Sequence, residues 1–258
     1  MNVAAEALTE AVRTGEFNYL AASTASSLYR NGKVFTRRDV SGNDVPWEGV
    51  DLEPRRMPVH EARALVGADR RTLETNGFEL LEQSSAPPDI DFLHHDQVVG
   101  TYYPQCADIV REATGARHVA AFDHNIRSAS GKKSKRRIEG GQQVQNPARV
   151  VHGDYTLVSA PQRLRDLALP PTVNDTYRTQ LSEGETLLDQ ANVTRAIGEG
   201  RFAIVNLWRS IAEEPVARYP LALCDAASVH PDDLVVFDIR YADRIGDNYF
   251  AKHSDGHR

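Results

Sequence analysis

The chain has 258 residues, 41% hydrophobic and 26% charged, with a formal net charge of −6. This is the composition of an ordinary soluble globular protein, and its acidity argues against a generally nucleic-acid-binding surface. No run approaches the roughly 18 apolar residues of a membrane span, and the two cysteines, Cys106 and Cys224, form no disulfide framework and fit a reducing cytoplasm.

In chain order, the opening "MNVAAEALTEAVRTGEF" carries Glu6, Glu10 and Glu16 and reads as an amphipathic helix, not a signal peptide. "FNYLAAS" and "GKVFTRRDV" read as strands. "EARALVGADRRTLETNGFELLEQ" reads as helix, turn and strand, with the break at Asn76-Gly77. In "DIDFLHHDQVVGTYYPQCADIVREATGA", Tyr102, Cys106, Ile109, Val110 and Ala113 recur at helical spacing, and Gly115 marks the C-terminal stop. "RHVAAFDH" follows as an apolar strand. The stretch "RSASGKKSKRRIEGGQQVQNP" then brings Lys132, Lys133, Lys135, Arg136 and Arg137 together without periodicity. A block of like charges reads first as a solvated loop, near residues 128–147, and second as a lid for an anionic substrate. No aromatic residues interleave with the lysines, which disfavours a nucleic-acid patch.

From Val150 the chain reads as strands: "RVVHGDYTLVS", "RFAIVNLWRSI", "YPLALCDAASV", "DLVVFDIRYAD" and "NYFAKHS", interrupted by a helix in "EGETLLDQANVTRAIGEG". Closely spaced strands with turn residues between them suggest a barrel or a jelly-roll sandwich. The expected architecture is α+β in a single domain. An N-terminal α/β extension, about 1–117, packs on a β-rich core, about 118–258.

One element of this core carries chemistry. In "RVVHGDYT", His152 and Asp154 lie two residues apart, so on a strand their side chains share a face, with Gly153 on the other face leaving room for a close neighbour. An imidazole and a carboxylate so placed are either a satisfied polar pair or two members of the 2-His-1-carboxylate triad of non-haem Fe(II) sites. Other chemistries lack their motifs. There is no G-x-S-x-G elbow, no P-loop, no C-x-x-C and no H-E-x-x-H. Gly198 and Gly200 lack a third glycine and precede a strand, which weakens both a dinucleotide fold and a methyltransferase.

Taken together, "FNYL", "NGFELLEQSS", "TGARHVAAFDHNIR", "VVHGDYT", "VNLWRSI" and "YPLALCDAASVHPDDLV" occur in an order that resembles the hydroxylase/desaturase family. That family includes the cephamycin 7α-methoxylation component and the gibberellin-desaturase-like and AsaB-type proteins. The resemblance runs from about residue 17 to the end. It implies a double-stranded β-helix (jelly-roll) core, Fe(II) and 2-oxoglutarate as cofactors, and hydroxylation or desaturation of a small secondary metabolite. It makes His152 and Asp154 the first two iron ligands. His124 and Arg127 would end a strand where polar residues line a pocket, with capping or packing the alternative for His124. Asn206 would share a strand face with Trp208. Arg209, on the opposite face, would grip a substrate carboxylate or pair with Asp225, itself expected to pin a turn. Ser210 stands where the family usually has proline.

On this resemblance, relatives continue beyond "HSDGHR" with strands that carry the distal histidine and the arginine for 2-oxoglutarate. The expectation is therefore a core incomplete at its C-terminus. His230 reads as an exposed turn residue, and His253 and His257 could serve as a third ligand only if the tail folds inward. An uncovered sheet edge would favour a partner protein or a second copy. The alternative to an oxygenase is a non-catalytic member that binds a ligand or partner.

Overall fold

The computed structural model describes residues 13–37, 50–82, 90–129, 144–241 and 244–258. The first twelve residues of the expected N-terminal helix and the basic cluster from Lys132 to Arg137 lie outside these. In chain order the strands are β1 (Arg13–Leu20), β2 (Val34–Arg37), β3 (Leu52–Val59), β4 (His152–Gly153), β5 (Leu234–Arg240) and β6 (Ile245–Ala251). The helices are α1 (Leu73–Asn76), α2 (His95–Gln97), α3 (Tyr103–Thr114), α4 (Ser159–Asp166) and α5 (Gln190–Gly198), with a π-helical turn at Val98–Tyr102 joining α2 to α3.

β1 and β3 form an antiparallel ribbon, and a mixed sheet runs β2-β5-β6-β4. β2 is parallel to β5, while β6 is antiparallel to both β5 and β4. The N-terminal part thus contributes a strand to the same sheet as the C-terminal hairpin. β1 also bridges in parallel to Val150 and Lys252, tying the ribbon to that sheet.

β3 has no counterpart in the sequence-based expectation. Its sequence, LEPRRMPV, contains two prolines, which cannot donate to a ladder and are tolerated only at an edge. Here Pro54 and Pro58 face Asn18 and Thr14 across a two-stranded ribbon, where an edge is available. The same pairing overrides the expected helix at residues 13–17, which are strand.

Several helix ends match their sequence signals. Gly115 closes α3 at φ 67°, its N–H donating to Arg111 O at 2.8 Å. Gly77 ends α1 at φ 77°, and a Cβ there would meet Ala226 Cβ at 3.0 Å, so this turn excludes side chains twice over. α4 was not anticipated, and α5 is shorter than the run expected from Glu183 to Gly200.

Four expected strands are absent as ladders, the first being the one after Gly77, where residues 78–82 are irregular. Residues 117–124 are irregular. "RFAIVNLWRSI" and "YPLALCDAASV" are irregular up to Asp225, after which Ala226–Ser228 form a 3-10 turn. Among the described residues, no backbone–backbone hydrogen bond joins 201–224 to another segment. Strand-like composition needs a neighbouring strand to become a strand, and none of the described strands pairs with this stretch. Phe202, Leu207, Trp208, Ile211, Tyr219, Leu221 and Leu223 are exposed along it.

The core divides by strand alternation. Leu20, Val50, Val235, Phe237 and Phe250 pack together with Val150 on one side. Tyr19, Met57 and Ala251 pack with Val151 on the other. Phe250 joins core to site: it is 2% exposed, stacks on Phe35 at 4.2 Å between ring centroids, and lies beneath the His152 ring at 6.0 Å. Phe250→Ala should cost about 3–5 kcal/mol in a urea-denaturation measurement, the usual range for emptying a buried phenylalanine.

Candidate metal half-site

The short strand β4 sets the site. His152 pairs with Phe250 and Gly153 with Tyr249 on β6, and Val151 N–H donates to Asn18 O at 3.0 Å just before. Beyond the strand, Thr156 is held to β6. Its hydroxyl donates to Asp247 Oδ2 at 3.2 Å, and the Ser159 hydroxyl donates to Asp247 O at 2.9 Å. The Thr156 hydroxyl also accepts from the N–H groups of Val158 and Ser159, fixing the turn into α4. Asp247 is itself buried, opposite Asp238 on β5, and Arg30 bridges both carboxylates at 3.2 Å. Asp154 therefore sits between two anchored points.

Within that frame the His152 Nδ1–H donates to Val150 O at 2.7 Å, which assigns a proton to Nδ1 and turns Nε2 toward Asp154. Nε2 faces Asp154 Oδ1 at 3.4 Å. The shared-face geometry expected for the pair is present. The expected close neighbour at Gly153 is not, because a Cβ there would meet nothing within 4 Å. The other carboxylate oxygen, Oδ2, accepts from Asn206 Nδ2 at 2.6 Å. Asn248, with its amide oriented to satisfy its neighbours, donates to Asp154 O at 2.9 Å. Asp154 holds the His152 ring above its ordinary pKa through their contact, and His152 in turn holds the Asp154 carboxyl below its own, with Asn206 and Arg127 adding to the latter. Arg127, whose Nη1 donates to Asn146 O at 3.0 Å, thus places a positive charge by the pair.

Of the residues singled out from sequence, His152, Asp154 and Asn206 come together, with Arg127 beside them. His124 belongs to another cluster. Its Nδ1 meets the Tyr103 hydroxyl at 2.8 Å, and its ring stacks on His95 at 5.7 Å. Tyr103 continues to Thr176 Oγ1 at 2.9 Å. Arg209 lies over the Tyr102 ring at 6.0 Å, with its Nε buried and without a hydrogen-bond partner, and the guanidinium beside Asp225 is that of Arg71 at 3.8 Å, not that of Arg209. Asp225 instead caps the turn at Ala226–Ser228 and accepts from Asn76 Nδ2 at 2.9 Å, in the turn-pinning role expected of it.

The tail does fold inward, but away from the pair. His257 stacks on Tyr19 at 5.7 Å and meets Asp233 at 3.2 Å, while His253 packs edge-on to the same ring. Tyr19 lies in the cluster of Val151 and Ala251, whereas His152 stands over Phe250. Successive strand residues point to opposite faces, so neither tail histidine shares the face of His152. His230 is exposed and caps the turn at Pro231–Asp233, as expected. Among the described residues no group of three His, Cys, Asp or Glu side chains could hold a metal ion.

The family model for the Oxidoreductase/YMDC permease-like domain matches residues 17–258. The chain belongs to this family. A protein encoded in the dcmA 3'region of Methylophilus leisingeri is 44% identical over 76% of this chain and 89% of its own length. The Fe(II)/2-oxoglutarate-dependent dioxygenase nvfI of Aspergillus novofumigatus is 29% identical over 70% of this chain and 54% of its own length. Other fungal relatives are named alpha-ketoglutarate-dependent dioxygenases and hydroxylase/desaturases. The chain spans between 50% and 61% of the length of the fungal relatives it matches. In three dimensions it resembles the iron and alpha-ketoglutarate-dependent endoperoxidase NvfI, with a TM-score of 0.63 at 20% identity over 95% of this chain and 77% of that one. The chain thus shares the jelly-roll fold of that structure, with mixed sheets and few helices. No helix among the described residues is long and apolar enough to cross a membrane.

The sequence holds no signal for two supports of the pair. Val150 acts through its carbonyl, which every residue has, and Asn248 lies in an unremarkable β6 run.

The His124 cluster yields a pH prediction. Burial, reinforced by neighbouring His95, pushes the His124 imidazole down to about 4. An unfolded histidine titrates near about 6.5. As pH falls through that value the unfolded chain takes up a proton that folded His124 refuses until about 4, so stability drains across this window and is fully present above it. Urea midpoints at pH 7.5 and 4.5 should fall further for the wild type than for His124→Gln. Titrating groups remote from His124 are common to both proteins and cancel, while the coupling to His95 is lost with the imidazole and belongs to the difference.

Proposed function

We propose that this protein is a non-haem Fe(II)/2-oxoglutarate oxygenase that hydroxylates or desaturates a small molecule, with His152 and Asp154 as two of its metal ligands. One observation carries the reading: with Nδ1–H held by Val150 O, His152 Nε2 faces Asp154 Oδ1 at 3.4 Å, the place where a cation would displace the proton the two share. A neutral imidazole nitrogen and a carboxylate oxygen are the donors that Fe(II) takes in the facial triad. The pair fits two of its three protein positions, and the described residues supply no third. Bound there, Fe(II) would supply the oxidative chemistry that side chains lack.

The remaining roles belong to the chain itself. Val150 O keeps Nδ1–H engaged so that Nε2 is the nitrogen presented, β6 pairs with His152, and Asn248 of β6 holds the Asp154 carbonyl. Arg127 offers positive charge for the carboxylates of 2-oxoglutarate, as an exposed guanidinium beside the pair. Arg209, with an unsatisfied buried Nε, is the candidate for gripping a substrate carboxylate from the Tyr102 side. His124 is assigned a packing role, since Tyr103 occupies its Nδ1. The relatives named hydroxylase/desaturase, and the order of shared segments, support placing the chain with the AsaB-type proteins and their secondary metabolites.

Anaerobic titration with Fe(II) and then 2-oxoglutarate should raise the weak metal-to-ligand charge-transfer band of such sites. His152→Ala and Asp154→Ala should each abolish it while leaving the melting temperature within about 3 °C, because neither side chain is core. A protein that takes up no iron, and whose variants melt well below the wild type, would show the pair to be structural.

A further inference from the structure

We infer that Asn206 is the positioning residue of this half-site: its amide holds one oxygen of Asp154 so that the other is presented to a metal ion beside His152. The inference rests on the half-site reading above and goes beyond it by assigning the carboxylate's orientation to a residue 52 positions away.

A carboxylate offers two equivalent oxygens with about four lone-pair directions, and the torsion that swings them is broad. Left alone, Asp154 could present either oxygen, both, or neither. Its backbone is fixed by Asn248 at the carbonyl and by the Thr156 anchor that follows, so the side-chain torsions are its remaining freedom. Asn206 removes that freedom. Nδ2 to Oδ2 is 2.6 Å, the length of a strong bond to an ionised acceptor, and Oδ1 is then left facing His152 Nε2. An asparagine suits the task because it donates without adding charge. A lysine would compete with the metal electrostatically, and an aspartate could not donate.

Asn206 also lies on 201–224, the stretch without backbone bonds to its neighbours. Among the described residues its contact with Asp154 is one of few polar ties from that stretch to the rest of the chain, along with Arg201 to Glu74, Tyr219 to Arg149 and Cys224 to Ser228. Metal affinity and the order of 203–209 are therefore coupled through one hydrogen bond, and by linkage each must report on the other.

Cobalt(II) alone is a suitable probe, since its visible absorption reports binding without turnover. Asn206→Ala should weaken cobalt binding by roughly 10–100-fold, the usual cost of losing a partner that orients a metal ligand, with the metal-free melting temperature within about 2 °C of wild type. Asn206→Gln, which keeps the amide, should recover part of the loss. Leu207→Ala, which disturbs the same stretch without touching the amide, should change affinity less than about 2-fold. Hydrogen exchange of 203–209 should slow on cobalt addition in the wild type and not in Asn206→Ala. If Asn206→Ala binds cobalt as tightly as wild type while Asp154→Ala loses it, the positioning role is wrong and the half-site stands. Equal losses in Asn206→Ala and Leu207→Ala would overturn the assignment to the amide. If the wild type binds no cobalt, or Asp154→Ala binds it unchanged, the half-site fails and the positioning role with it.

Discussion

The site depends on two residues of strand pairing. β4 contributes only His152 and Gly153 to the edge of the mixed sheet, yet that pairing with Phe250 and Tyr249 decides which way His152 faces. A slip of one residue would send the imidazole to the Tyr19 side and Val151 into its place, because the period of a strand is two. The short strand is kept in register from both ends. Val151 bonds to Asn18 on β1, and Thr156 and Ser159 bond to Asp247 on β6. Register here is secured by side-chain and bridging contacts where the ladder is too short to secure itself.

Those anchors are buried in ways that make them costly to lose. Asp247 and Asp238 face each other across β5 and β6, and two carboxylates in a core would repel without a cation between them. Arg30 supplies it, reaching in from a half-exposed position to both. The Thr156 hydroxyl bonds the charged oxygen that Arg30 does not take. A line of polar contacts thus runs from the N-terminal part through the central hairpin to the turn after Asp154. A fully apolar packing could hold the strands together, but it would not specify their offset as these directional bonds do.

The residues singled out from sequence are of two kinds. His152 and Asp154 were legible as a pair because their spacing is local, and the structure puts Nε2 and Oδ1 face to face although the strand ends at Gly153 and Asp154 lies in the bend after it. Gly115 and Gly77 were legible as helix ends for a similarly local reason, a left-handed turn that glycine alone enters freely. The separation of His124 from the pair was not legible. Whether "FDHNIR" ends a strand in a pocket or packs under a helix depends on Tyr103 and His95, which nothing local predicts. The stretch 201–224 shows the limit most clearly. Its composition is that of strands, and it lacks a ladder because hydrogen bonds in a sheet come from another segment.

Sequence by itself determined the elements whose cause is local: the stop of α3 at Gly115, the turn at Gly77, the strand character of β5 and β6, and the spacing that lets His152 and Asp154 share a face. The order of its segments pointed to the hydroxylase/desaturases found among its relatives, though not to the family whose model matches residues 17–258. Tertiary structure alone decided the rest. It admitted β3 despite two prolines by giving it an edge, carried the C-terminal histidines to the far side of the sheet, and brought Asn206 to Asp154 across 52 residues. The physical reason is the same in each case. A backbone turn or a period of two is written within a few residues, whereas the partner of a strand or a carboxylate is chosen by everything that packs around it.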